Sequence, residues 1–254
     1  NDAVVITNFV GDMSVNTQLI WTDLHATDLN GWGTLARNGD TGHPTSADWS
    51  HDGKDIVYVT SAGGHEGVIA ETTPQDRSMD IVVIPYNNRM GGDAVKLPGA
   101  SDPQKREFYP VYSPSDTWIV FNSSDTANSS YDQATAELFV VPRAGGTPTR
   151  LNANDPPVCT GYKSPGITNS WAGWSPQAPV FGGLRYYWLV FSSKRRIAAG
   201  NRPQLYIAAM VTKIDNGVET IVGNYPAAYA GSQLLTEGNH GPVWDNFVVD
   251  QIPK

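Results

Sequence analysis

An aromatic residue followed by Ser or Asp recurs at nearly fixed phase along this chain. The copies read Ala47-Asp48-Trp49-Ser50, Pro110-Val111-Tyr112-Ser113, Ala172-Gly173-Trp174-Ser175 and, truncated, Pro242-Val243-Trp244-Asp245. Their anchors, Trp49, Tyr112, Trp174 and Trp244, lie 63, 62 and 70 residues apart. Recurrence at fixed phase means that one supersecondary unit is built several times and stacked, because such a unit cannot bury its apolar face alone.

Each anchor is followed by turn chemistry, His51-Asp52-Gly53-Lys54 in the first copy and Pro114-Ser115-Asp116 in the second. Gly, Pro and Asp there supply the dihedrals of a hairpin. A strand should follow, and the runs Ile56 to Ser61, Trp118 to Ser123 and Trp188 to Ser193 are rich in β-branched and aromatic residues. A third strand, opened by a polar residue, is expected at Asp80 to Ile84, Glu137 to Val141 and Gln204 to Ile207. A short fourth one is expected at Ala94 to Leu97 and Thr147 to Leu151. Composition agrees, with 25 Gly, 18 Pro, 8 Trp, 11 Tyr and only 17% charged residues, a profile for short strands and tight turns rather than helices.

Four antiparallel strands per repeat make the blade of a β-propeller, in which each blade packs its face on the next. The fold class expected is therefore all-β, a propeller with four visible blades. Val4 to Phe9, Gln18 to Trp21 and Gly33 to Leu35 match the second, third and fourth strands of a blade lacking its first, which Asn239 to Trp244 can supply. Pairing of the C-terminal strand with the N-terminal strands would close the ring and hide both edges. The domain expected is single, 1–254, with blade 1 from 1–42 plus 239–250, blade 2 from 43–100, blade 3 from 106–152 and blade 4 from 168–236. At about 64 residues per blade against a common 40 to 45, the excess falls in loops: Gly63 to Ser78, Asp125 to Ala136, Pro156 to Thr168, and Ile214 to Gly231, the last with room for an additional strand.

The Trp-Ser-Pro turn, the Phe-x-Ser-Ser strand end, best seen in Phe191-Ser192-Ser193-Lys194-Arg195, and the polar-plus-apolar third strand resemble the TolB-like, or PD40, family of WD40-like propellers. Asn169 to Arg195, with Asn239 to Trp244, is similar to the C-terminal half of large secreted bacterial members. Departures are the Asp-Gly turn, complete only at Asp52-Gly53, and the insertion Gln177 to Arg185. The resemblance implies a periplasmic or secreted, noncatalytic propeller that binds a protein partner. The first residues, Asn1-Asp2-Ala3-Val4, run almost directly into a strand, so an upstream piece is expected to be cleaved or absent from this chain.

First strands line a propeller's channel, so the residues just before each anchor are the candidate binding site. They are His43, Arg106, Glu107, Tyr109, Asn169, Trp171, Asn239 and His240. Such a ring could cradle a peptide end or a glycan, and the alternatives to a protein-binding scaffold are a carbohydrate-binding module, a carbohydrate-active enzyme or a structural subunit of an extracellular assembly. The structural alternative is that these side chains satisfy one another around a watery channel. His43, His240 and Glu107 could share a metal, but no spacing demands it. Asp125 to Asp132 offers hard oxygens without the Asp/Asn alternation and Gly of a calcium loop. Asn122 and Asn128 spell glycosylation sequons in a Ser-rich stretch. Trp32 can stack on a ligand or pack under its own loop.

No Gly-x-Ser-x-Gly elbow, phosphate loop, zinc Cys pair or haem motif occurs, so no catalytic residue, cofactor or metal is assigned. Cys159 has no partner within the chain for a disulfide. A net charge of -8 disfavours nucleic acid, and no apolar stretch approaches the roughly 20 residues of a membrane span.

Overall fold

In a computed structural model, residues 3–9, 17–28, 30–61, 79–125, 130, 132–195 and 201–244 are described. The loop from Gly63 to Ser78, the Asn128 sequon, Arg196 and everything from Asp245 onward lie outside the described residues. Blade 1's expected closing strand is thus described only as far as Trp244.

Nearly everything described is β-strand and turn. The first sheet is β1 (Ala3–Phe9), β2 (Thr17–Asp23) and β3 (Trp32–Thr34), antiparallel in that order. A short β4 (Ala36–Asn38) precedes the second sheet, β5 (His43–Trp49), β6 (Asp55–Ser61), β7 (Met79–Pro85) and, after β8 (Gly91–Asp93), β9 (Val95–Lys96). β4 and β8 pair in parallel and tie the first sheet's trailing segment to the second. The third sheet is β10 (Arg106–Tyr112), β11 (Trp118–Ser124), β12 (Glu137–Pro142) and β13 (Thr149–Arg150). The fourth runs β14 (Ser170–Trp174), then, past the short β15 (Val180–Phe181), β16 (Leu184–Ser193), β17 (Gln204–Asp215) and β18 (Val218–Asn224), with β19 (Ala228–Tyr229) also on β17.

The expected strands are present except the one at Asn239 to Trp244, which joins no ladder among the described residues, and the other differences sit in the fourth sheet. The insertion between Gln177 and Arg185 folds as a hairpin extending β16, and the Ile214 to Gly231 loop contains β18 and β19. Pro156 to Thr168 carries one 3-10 turn, Val158–Thr160, and another, Asn152–Asn154, lies just before it.

Three apolar layers hold the four sheets face to face. Leu19, Trp21 and Leu35 of the first meet Ile56, Tyr58, Val82 and Ile84 of the second. Val57, Ile81 and Leu97 of the second meet Tyr112, Ile119, Phe121 and Val141 of the third. Trp118, Val120, Leu138 and Val140 of the third then meet Trp174, Tyr187, Leu189 and Phe191 of the fourth. Alternate residues of one strand serve opposite layers, as Ile119 and Val120 do, because side chains switch faces at each step. This explains the unbroken apolar runs: β11 is buried throughout, between two sheets rather than between a sheet and water.

The arrangement, several antiparallel four-stranded sheets stacked in sequence order, is consistent with a propeller. The end faces are open, with Val4 and Ile6 exposed on the first sheet and Trp188 on the fourth. Among the described residues no sheet closes on itself and no ladder joins the first sheet to the fourth.

Candidate functional site

Every first strand slips register at one place. The ladder jumps between Thr45 and Asp48, between Phe108 and Val111, and between Ser170 and Gly173. The cause is a bulge three residues before the anchor, where the backbone is left-handed: φ is 46° at Ser46, 54° at Tyr109 and 61° at Trp171. Gly241 has φ 54° at the same place before Trp244. Glycine takes this conformation freely, whereas for the other three it costs on the order of 1–3 kcal/mol each.

The anchors form a second regular feature. Trp174 Nε1 donates to the carbonyl of Val111 at 3.2 Å, and Trp244 Nε1 to that of Gly173 at 3.1 Å. Each indole thus reaches the residue just ahead of the preceding anchor. Gly241 to Trp244 therefore sits beside β14 as a first strand sits beside its predecessor. The second and third sheets are joined at this level too, by Tyr112 N donating to Asp48 Oδ2 at 2.7 Å.

These strands converge on a cavity of about 430 Å³ lined by Asp48, Tyr112, Trp171, Trp174, Pro242 and Trp244. Burial pushes the Asp48 carboxyl up to about 6, against the opposing pull of the Tyr112 and Trp49 amides. The bulge lays Trp171 flat on Tyr109, with centroids 4.8 Å apart and planes within 1°. A Cβ built on Gly241 would lie 3.8 Å from the Trp171 ring, in ordinary van der Waals contact, so the last segment packs beside the indole. Trp171 remains 37% exposed. Its amide donates to Asn122 Oδ1 at 3.1 Å, while Asn122 Nδ2 donates to the carbonyls of Asn169 at 2.7 Å and Glu137 at 3.2 Å. Tyr109 is fixed by its hydroxyl, which donates to Ser130 Oγ at 3.0 Å.

Of the eight residues predicted for the mouth, Tyr109 and Trp171 are brought into contact. Glu107 is only 2% exposed, and its Oε2 is buried without a hydrogen-bond partner. Desolvation first and the Asp80 charge second raise its carboxyl to about 8. Asn169 is fully buried, donating to Asn154 O and Ser164 Oγ and accepting from Ser193 and Arg195. His43 opens β5 opposite Ser61. Arg106 opens β10, with Nη1 donating to Lys105 O. Asn239 donates its backbone N–H to Pro203 O at 2.9 Å, and His240 follows it, exposed, beside Gly238.

Asn122, noted from the sequence only as a glycosylation sequon, is fully buried and clamps the Trp171 bulge. Its signal was a lone carboxamide inside an otherwise apolar strand. Among the described residues no three metal-ligating side chains converge. The carboxylates at the ends of the Asp125 to Asp132 loop are engaged by lysines, Asp125 by Lys105 and Asp132 by Lys194. Trp32 and Cys159 are both exposed.

No family model and no curated protein matches this chain. Among solved structures, a protein assigned as TolB from Agrobacterium tumefaciens is 16% identical at a TM-score of 0.48, over 90% of this chain and 63% of that one. An oligogalacturonate lyase in complex with manganese is 12% identical at a TM-score of 0.41, over 89% and 51%. An exo-β-1,3-galactanase from Clostridium thermocellum is 11% identical at 0.34, over 89% and 52%. The chain spans less than two thirds of the length of each. Likenesses at this level assign neither activity nor partner.

Proposed function

We propose that this chain is a noncatalytic, extracytoplasmic β-propeller that engages a protein partner at its channel mouth, with Trp171 and Tyr109 as anchor. The observation that carries this reading is the Tyr109–Trp171 stack, two rings held within 1° of parallel on left-handed backbone, the outer one exposed. Strain of that kind persists only where the surroundings over-determine it, and it concentrates at functional sites. A rigid, half-exposed Trp such as Trp171 is also among the side chains that dominate protein interfaces. Location outside the cytoplasm rests on the sequence resemblance, and cell fractionation of the natural source tests it.

Trp171→Gly is the informative variant. Glycine already occupies the equivalent position at 241, so the bulge survives while the indole is lost. Its affinity for a partner captured by the parent protein is expected to fall about 30-fold or more, the loss of a central hot spot, as read by surface plasmon resonance. The same flat ring pair suits the face of a sugar. A glycan array that lights up with the parent and goes dark with Trp171→Gly would replace the protein-binding reading with a carbohydrate-binding one.

The same reading closes the ring at four blades, with Gly241 to Trp244 as the first strand of the blade holding β1 to β3. Support comes from the Gly241 backbone and from the Trp244 indole, which repeat the other first strands. The bond that the anchor rule would add on closure, Trp49 Nε1 to the carbonyl of Val243, is not formed here, and Val243 is 89% exposed. Hydrogen exchange checks this: β1 amides facing away from β2 should be protected to the level of β5, and free exchange there would mean that the edge is open.

A further inference from the structure

Arg195 stands just past the end of β16 and is 4% exposed. Its Nε donates to Ser193 Oγ at 3.1 Å, and its Nη2 donates to Ala153 O at 2.6 Å, Asn154 O at 3.3 Å and Asn169 Oδ1 at 2.7 Å. Every one of these acceptors is neutral. Nη1 is buried and has no partner. Elsewhere in the molecule Arg37, Arg143, Arg150 and Arg185 each meet a carboxylate. Among the described residues Arg195 forms no such pair, and a buried guanidinium without a counter-charge is costly. The nearby Asp155 is occupied by Arg150 at 2.8 Å.

The same guanidinium lines a cavity of about 520 Å³ with Pro156, Pro157, Tyr162, Tyr206 and Tyr229. Tyr162 presents a second buried polar atom without a partner, its hydroxyl. Tyr206 lies under the guanidinium, with Cζ 4.7 Å from its ring centroid, and fixes the plane of the charge. Two residues of this pocket wall thus carry an unsatisfied donor just beneath its surface, one of them positively charged, among prolines and tyrosines, a composition suited to an anion with an apolar body.

We propose that this pocket binds a small organic carboxylate, whose oxygens accept from Arg195 Nη1 and the Tyr162 hydroxyl while its aromatic or aliphatic body lies against Pro156, Pro157 and Tyr229. A planar carboxylate matches a guanidinium edge better than a tetrahedral anion does in a pocket walled mainly by apolar surface. The site involves neither Trp171 nor Tyr109, so it is independent of the mouth.

Isothermal titration calorimetry of the whole chain with 3-phenylpropionate, its primary amide and inorganic phosphate tests the assignment. The acid should bind saturably, one per chain, at least 10-fold tighter than the amide or phosphate. Tyr162→Phe, which removes one oxygen and leaves the packing, should weaken the acid about 3- to 10-fold. Arg195→Lys should weaken it further, and Trp171→Gly should leave it unchanged. Equal affinity for acid and amide, preference for phosphate, no change in Tyr162→Phe, loss in Trp171→Gly, or no binding of the acid would each overturn the proposal. If Arg195→Lys does not fold, the acid-to-amide ratio and Tyr162→Phe still decide it.

Discussion

Replacing Glu219 with Ala is expected to lower the unfolding free energy by about 3–5 kcal/mol, the usual cost of removing one partner of a buried, hydrogen-bonded charge. The side chain is 6% exposed and closes the boundary between the third and fourth sheets. Its Oε1 accepts from the hydroxyls of Tyr187 and Thr212, both at 2.6 Å, and from Trp118 Nε1 at 3.3 Å, while Oε2 accepts from Arg185 Nη1 at 2.9 Å. Trp118 belongs to the third sheet and the other donors to the fourth. Without the carboxylate, the fully buried Thr212 keeps a hydroxyl short of an acceptor, Tyr187 is left with Ser115 Oγ alone, and Arg185 loses its counter-charge. Urea unfolding followed by Trp fluorescence measures the loss, with the slope unchanged because the exposed surface is the same. A cost under about 1 kcal/mol would mean that the network adds nothing net to the packing around it.

Glu219 also marks where the sequence stopped being readable. The anchors, the turns after them and the strands β6, β11 and β12 could be placed from residue pattern alone, because burial on both faces demands unbroken apolar runs of strand length. β18 could be anticipated only as room for a strand in the Ile214 to Gly231 loop, since Val218 to Asn224, though rich in β-branched residues, follows no anchor and lies along a half-exposed edge. The geometry of the mouth was illegible for a different reason. Glu107 and Tyr109 are two apart and would share a face in a regular strand. The bulge at Tyr109 inserts an extra residue and uncouples them, so that the ring stacks on Trp171 while the carboxyl is buried. Nothing in Tyr or Trp announces a left-handed backbone, and only Gly241 hinted at it. Nothing in the charged pair Lys194-Arg195 announces a buried guanidinium, whose placement depends on carbonyls of Ala153 and Asn154 some forty residues earlier.

The bulge has an energetic counterpart in Glu107, which makes the protein expected to lose stability as pH rises. Below about pH 4.5 the carboxyl is protonated in both states and contributes nothing. Between 4.5 and about 8 the unfolded chain gives up its proton while the folded chain keeps it, because desolvation and the Asp80 charge disfavour the anion. The folded state then holds more protons, so unfolding free energy falls with pH, by an amount approaching 5 kcal/mol once pH exceeds 8 and about 3 kcal/mol at pH 7. Asp48, raised from 3.8 to about 6, adds a fall of the same sign that is complete by about pH 6. The two are separable by mutation. Glu107→Gln keeps the shape and removes the titration, so it should match the parent near pH 4 and exceed it by about 3 kcal/mol at pH 7, leaving only the Asp48 step. Chemical denaturation of both proteins at pH 4, 6 and 8 reads this directly. Parallel curves above pH 6 would show that Glu107 ionises freely, and that its burial beneath the Tyr109 bulge is relieved by water reaching the carboxyl.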